Sequence, residues 1–134
     1  MQIRAIRYIG LAIIIYIGIG LFFHLNRPNY GRCDFYTKEL NGGSKEFHGT
    51  TYFAKLCGAD IKNGTEVKFQ FFDASGKLLA QRYFSYYTNS ASERDLIDAM
   101  DSIIYYDNSK SDVMRSLSIP PTKWDWLRAR LPLF

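Results

Sequence analysis

Catalysis requires a positioned acid, base, nucleophile or metal ligand, and few residues of this sequence could serve. Cys33 and Cys57 are the only cysteines, and His24 and His48 the only histidines. A zinc site needs four converging ligands. His24 adjoins a long apolar run and His48 stands alone, so no metal site is expected. The chemistry that fits the two thiols is each other: in an oxidising compartment a Cys33–Cys57 disulfide would contribute on the order of 3 kcal/mol to a small domain. Two unrelated buried thiols are the alternative. His48 falls in a segment that reads as a strand, where a structural role is the plainer one. The Asn-Gly-Gly at 41–43 lacks the spacing of a phosphate-binding loop and reads as a turn. No catalytic residue and no cofactor is expected, and an enzyme is the least favoured class.

Two surpluses point to binding instead. Residues 93–112 carry six acids, Glu93, Asp95, Asp98, Asp101, Asp107 and Asp112, against Arg94 and Lys110, a net charge of −4. If that stretch is helical, Asp95, Asp98 and Asp101 fall on one side of it and would attract a cationic partner; a solvated helix face is the plainer reading. The second surplus is aromatic: ten Tyr, ten Phe and two Trp make 16% of the chain, clustered at residues 83–87 and 105–106. Neighbouring rings in a strand point to opposite faces, so one core cannot take all of them. Tyr86, Tyr87 and Trp126 are the candidates to meet a partner protein, with one of Trp124 and Trp126 buried and the other free.

The elements that must position these groups begin with the N-terminus. Residues 8–23 are sixteen positions without a charge, about 24 Å of helix, which spans a bilayer if Arg7 and Arg27 extend to the headgroups. A cleavable secretory leader shares the pattern of Arg4 and Arg7 before an apolar run. The run ends without a small-x-small cleavage site, however, apart from Gly18-x-Gly20 inside it. A buried core helix would seldom be apolar on every face. The expected organisation is a short cytoplasmic tail at 1–7, a signal-anchor helix at 8–24, a linker at 25–32 and one extracytoplasmic domain at 33–134. Flanking charges are nearly balanced, so the N-inside orientation rests on the short tail staying in while a long domain is translocated. The basic pI of about 9.1 gives little reason to expect nucleic acid. Arg4, Arg7 and Arg27 flank the span, and the remainder holds fourteen cations against thirteen acids, a net charge of only +1.

The domain reads as α+β. Residues 66–71 alternate, with Val67, Phe69 and Phe71 on one face. The turn at 73–76 and the apolar run at 77–87 complete an antiparallel hairpin. Residues 46–56 read as a third strand and 33–38 as a fourth, which would make the disulfide a strand-to-strand link. Ser90 and Glu93 fit a capping box for an amphipathic helix carrying Leu96, Ile97, Met100, Ile103 and Ile104, expected to pack on the sheet. Pro120 and Pro121 end whatever element residues 113–119 form. Thr122 and Asp125 then cap a short last helix bearing Trp124, Leu127 and Leu131.

The general build is similar to that of small bacterial envelope proteins, including membrane-anchored immunity proteins that neutralise a toxin on the periplasmic side. It implies a non-catalytic, immunity-type or inhibitor protein-binding module of the bacterial inner membrane, with a protein partner at the membrane's outer face. The alternative is a structural accessory subunit of an envelope complex that uses the span, through Gly10, Gly18 and Gly20, as its interface.

Overall fold

A computed structural model of the chain describes residues 1–87 and 94–131. Helix α1 (Gln2–Leu25) has a mean hydropathy of 2.2, and its side chains are exposed along nearly all its length, Gly20 being its one buried residue. It is long and apolar enough to cross a membrane, and it does not pack as a core helix. The rest is α+β: a four-stranded antiparallel sheet of β1 (Gly43–Phe47), β2 (Thr50–Ile61), β3 (Gly64–Asp73) and β4 (Leu78–Tyr87), and a three-stranded one of β5 (Ile97–Asp98), β6 (Ser102–Tyr106) and β7 (Met114–Ser118). Two short helices, α2 (Cys33–Glu39) and α3 (Lys123–Arg128), flank them.

The central hairpin follows the sequence reading. Val67, Phe69 and Phe71 of β3 face the core together with Tyr52, Ala54 and Leu56 of β2 and Ala80 and Phe84 of β4. Asp73 organises the β3–β4 turn, its Oδ1 accepting from Ser75 N, Ser75 Oγ and Lys77 N at 2.6–2.9 Å. These bonds hold the carboxyl below its usual range, the Ser75 hydroxyl most of all.

Three expected elements are different. Residues 46–56 are not one strand but the end of β1, a tight turn and the start of β2. His48 and Gly49 both have positive φ (51° and 77°), the requirement of a two-residue type I′ hairpin turn. His48 is therefore an exposed turn residue. Residues 33–38 are not a fourth strand but helix α2, with Asp34 in its first turn and Lys38 in its last, both favourable to the helix dipole. Tyr36 and Leu40, four apart, are buried on one side of it. The Cys33–Cys57 disulfide accordingly joins a helix to β2.

The third difference is the largest. The capping box of Ser90 and Glu93 lies outside the described residues, and the amphipathic helix expected after it is a hairpin, with β5 pairing Ile97 to Ile104 and Asp98 to Ile103. Leu96 and Ile103 are buried, as a helix would also have them. Tyr105 is buried too, while Ile104 and Tyr106 are half-buried, which is the alternation of a strand. The run Ile-Ile-Tyr-Tyr is made of the branched and aromatic side chains that pleated structure favours. What covers the large sheet is therefore a second sheet. The Tyr105 ring lies 6.2 Å from Phe69 and 5.5 Å from Phe84 across the interface.

One seam holds α2 to the sheet. Strand β1 pairs with β2 only as far as Ala54, and beyond it the edge of β2 is closed by other groups. Thr37 Oγ1 donates to Leu56 O at 3.2 Å and accepts from Leu56 N at 3.0 Å. Gly31 and Gly58 exchange both backbone bonds at 2.9 and 3.0 Å. A side chain at Gly58 would collide with the Tyr36 ring. Thr37→Val, which keeps the shape and removes both bonds, is expected to cost about 1–2 kcal/mol because it leaves buried edge groups of β2 unpaired. Thr37→Ser should recover most of that loss in denaturant titrations of the full chain in detergent. A Thr37→Val midpoint equal to wild type would show that the edge needs no such closure.

Candidate interaction surface

The six expected contact residues do not form one surface. Asp95, Asp98 and Asp101 are all exposed, but no helix aligns them. Asp98 is committed to a partner, its carboxylate lying 2.8 Å from the Nζ of Lys45, a lysine whose side chain is only 4% exposed. This pair ties β5 to β1. Asp101 sits in the β5–β6 turn, where its backbone carbonyl accepts from Ile119 N at 2.8 Å. Asp107, counted with the acidic stretch, is buried instead. Its Oδ1 accepts from Ser109 Oγ at 2.6 Å, Ser109 N at 3.0 Å and Ser85 N at 3.2 Å, fastening the end of β6 to β4.

The aromatic candidates also separate. Tyr86 is 7% exposed and belongs to the core, with the Arg94 guanidinium 5.4 Å from its ring. Tyr87 is half exposed and its hydroxyl donates to Asn108 O at 3.4 Å. Trp126 lies apart on α3, neither it nor Trp124 is buried, and Arg130 stacks over the Trp126 ring at 3.9 Å. The expected apolar face of the last helix is thus not buried. The buried residue of α3 is Asp125.

Asp125 explains how so short a helix is held. Thr122 and Asp125 form the expected capping box, with Thr122 N donating to Asp125 Oδ2 at 2.8 Å and Asp125 N to Thr122 Oγ1 at 3.1 Å. The other carboxylate oxygen is ion-paired with Arg82 of β4. Burial works to raise the Asp125 pKa, but the bonds from Thr122 and Arg82 outweigh it and hold the carboxyl below its ordinary 3.8. This clamp fixes where Trp126 stands.

A surface the sequence reading missed lies on the three-stranded sheet. Register places Ile97, Ile104 and Ser116 side by side, and Tyr106 beside Met114. Because Ile103, Tyr105 and Leu117 point inward, this second set faces outward. Ile97 is 39% exposed and Met114 58%. Beside them, the Met100 side chain in the β5–β6 turn is fully open. Strand β7 pairs only with β6 among the described residues, so the apolar face runs out to an open strand edge. The signal in the sequence was the Ile103–Tyr106 run read with a period of two.

No known family model, curated protein or solved structure matches this chain. Contiguous apolar side chains beside an open edge can bury area against another protein and extend the sheet by main-chain pairing. Among the described residues, no three of His, Cys, Asp or Glu converge as metal ligands would.

The Asp125 clamp has a pH signature. A carboxyl whose folded pKa lies below its unfolded value stabilises the fold above the unfolded value, and that stability fades as pH falls from there through the folded pKa. Wild type should therefore lose denaturant stability below pH 3.8 more steeply than Asp125→Asn, and the variant should be weaker at neutral pH. Parallel acid limbs for the two proteins would contradict the clamp.

Proposed function

We propose that this chain is a single-span protein of the bacterial inner membrane whose domain stands on the periplasmic side as a non-catalytic protein-binding module of the immunity or inhibitor kind. Helix α1 supplies the anchor, and the Cys33–Cys57 disulfide is the kind of bond that persists in an oxidising compartment. The observation that carries the binding role is the outward apolar face of Ile97, Ile104 and Met114, beside a β7 edge that pairs with no other strand among the described residues. Asp95 and Asp101 are exposed and close to it in sequence, and they would favour a partner that carries cations beside an apolar centre. Tethering confines the search for that partner to the membrane surface, where the effective concentration is high.

The proposal is tested by site-specific photo-crosslinking in intact cells. A photo-reactive phenylalanine analogue at position 116, on the outward face, should give a discrete adduct, and the same probe at position 53, on the outer side of the large sheet, should not. Met114→Asp should weaken the adduct by roughly thirtyfold, the equivalent of about 2 kcal/mol for a central apolar contact. Equal adducts from both positions, or an adduct indifferent to Met114→Asp, would place the interaction elsewhere.

A further inference from the structure

The outer side of the four-stranded sheet faces the end of α1. There the linker after α1 lies across β3 and β4: the Tyr30 ring is 5.7 Å from the Tyr83 ring, and the Arg27 guanidinium stands 4.0 Å over Tyr83. A cleft of about 340 Å³ opens at this junction. Its polar lining comes from separate parts of the chain: His24 in the last turn of α1, Arg27 in the linker, Lys68 on β3, Gln81 and Tyr83 on β4, and Arg130 after α3. Among the described residues, no carboxylate lines it.

The cations are positioned by rings, which orient a charge without cancelling it. Arg27 lies over Tyr83, Lys68 lies 5.3 Å from Tyr30, and Arg130 lies 3.9 Å from Trp126 while donating to Trp126 O and Leu78 O at 3.0 and 3.1 Å. The ion pairs among the described residues use Lys45, Arg82 and Arg94 instead. Burial, then Lys55 and then Arg27, push the Lys68 pKa down, a sign of local positive crowding. Among the described residues Glu66 is an acid near the cleft: it raises Tyr30 after burial has done so, while at Tyr83 burial raises the pKa, Arg27 lowers it and Glu66 adds a smaller rise.

A helix that crosses a bilayer delivers its last turn to the headgroup level, so a cleft built on that turn sits among lipid phosphates. Interfacial Trp and Tyr and juxtamembrane cations are what that layer favours. We propose that the cleft bounded by His24, Arg27, Lys68 and Arg130 binds the phosphate of an anionic phospholipid and so fixes the domain's orientation on the membrane. This rests on α1 crossing the bilayer and is independent of the protein-binding face.

The two tryptophans, both on α3, make the site readable. The full chain is placed in nanodiscs of phosphatidylcholine with a minority of phosphatidylglycerol, with brominated acyl chains on one lipid or the other. Per molecule present, brominated phosphatidylglycerol should quench tryptophan about twofold or more better than brominated phosphatidylcholine, since each engaged cation favours an anionic lipid. The triple variant R27Q/K68Q/R130Q should lose that preference. Lys68→Gln alone should reduce it. K62Q/K110Q/R115Q, an equal loss of charge away from the cleft, should keep it. Equal quenching by the two lipids in wild type would overturn the proposal, as would a preference that the remote triple variant loses equally. Inorganic phosphate is added in parallel to discs of pure phosphatidylcholine. Thermal stabilisation there without any lipid preference would assign the cations to a soluble phosphate ester and overturn the lipid site.

Discussion

The fold depends on how the exposed edge of β2 is closed. Strand β2 runs for twelve residues and β1 for five, so half of one strand edge would be left as unpaired N–H and C=O groups, an invitation to wrong pairing. The chain answers with the segment that arrives from α1. Gly31 pairs with Gly58, the Thr37 hydroxyl takes both backbone groups of Leu56, Tyr36 packs over Gly58, and the Cys33–Cys57 bond lies between. Gly58 has no side chain because the Tyr36 ring occupies that space. Since Gly31 is six residues beyond the end of α1, the same closure determines where the helix meets the sheet.

From that follows a division of the domain into two sides. The linker and the end of α1 occupy the outer side of the four-stranded sheet, where Arg27, Tyr30, Lys68 and Tyr83 gather. The three-stranded sheet packs on the other side through Tyr105, Phe69 and Phe84. Its own outward face, with Ile97, Ile104, Tyr106 and Met114, is thereby the surface turned away from the anchor. On the proposed reading the membrane side is cationic and the partner side apolar.

What could be read from sequence was whatever is decided locally. The apolar run of α1, the alternation of Val67, Phe69 and Phe71, the Asp73 turn and the Thr122–Asp125 capping box each depend on neighbours a few positions away. The misreadings have a common cause, which is tertiary context. Leu96, Ile97, Met100, Ile103 and Ile104 satisfy a helical period as well as two short strands joined by a turn, and only the docking of Tyr105 on Phe69 and Phe84 decides between them. Tyr36 looks like part of a strand until its ring is seen to cover Gly58. The aligned acidic helix face is lost for the same reason, and two of its neighbouring acids have structural partners: Asp98 pairs with Lys45, and Asp107 is held at the Ser85–Ser109 junction. The apolar face needed the strand register before it could be seen.

The central claim is that α1 stays attached and places an oxidised domain outside the cell membrane. It is tested most directly by adding protease to intact cells while blocking free thiols, then weighing the membrane-bound chain. The expected result is digestion of the domain from outside, thiols at Cys33 and Cys57 that react only after reduction, and an undigested product that retains residues 1–27. A domain protected in intact cells, with both thiols free to react, would contradict the orientation and the role drawn from it.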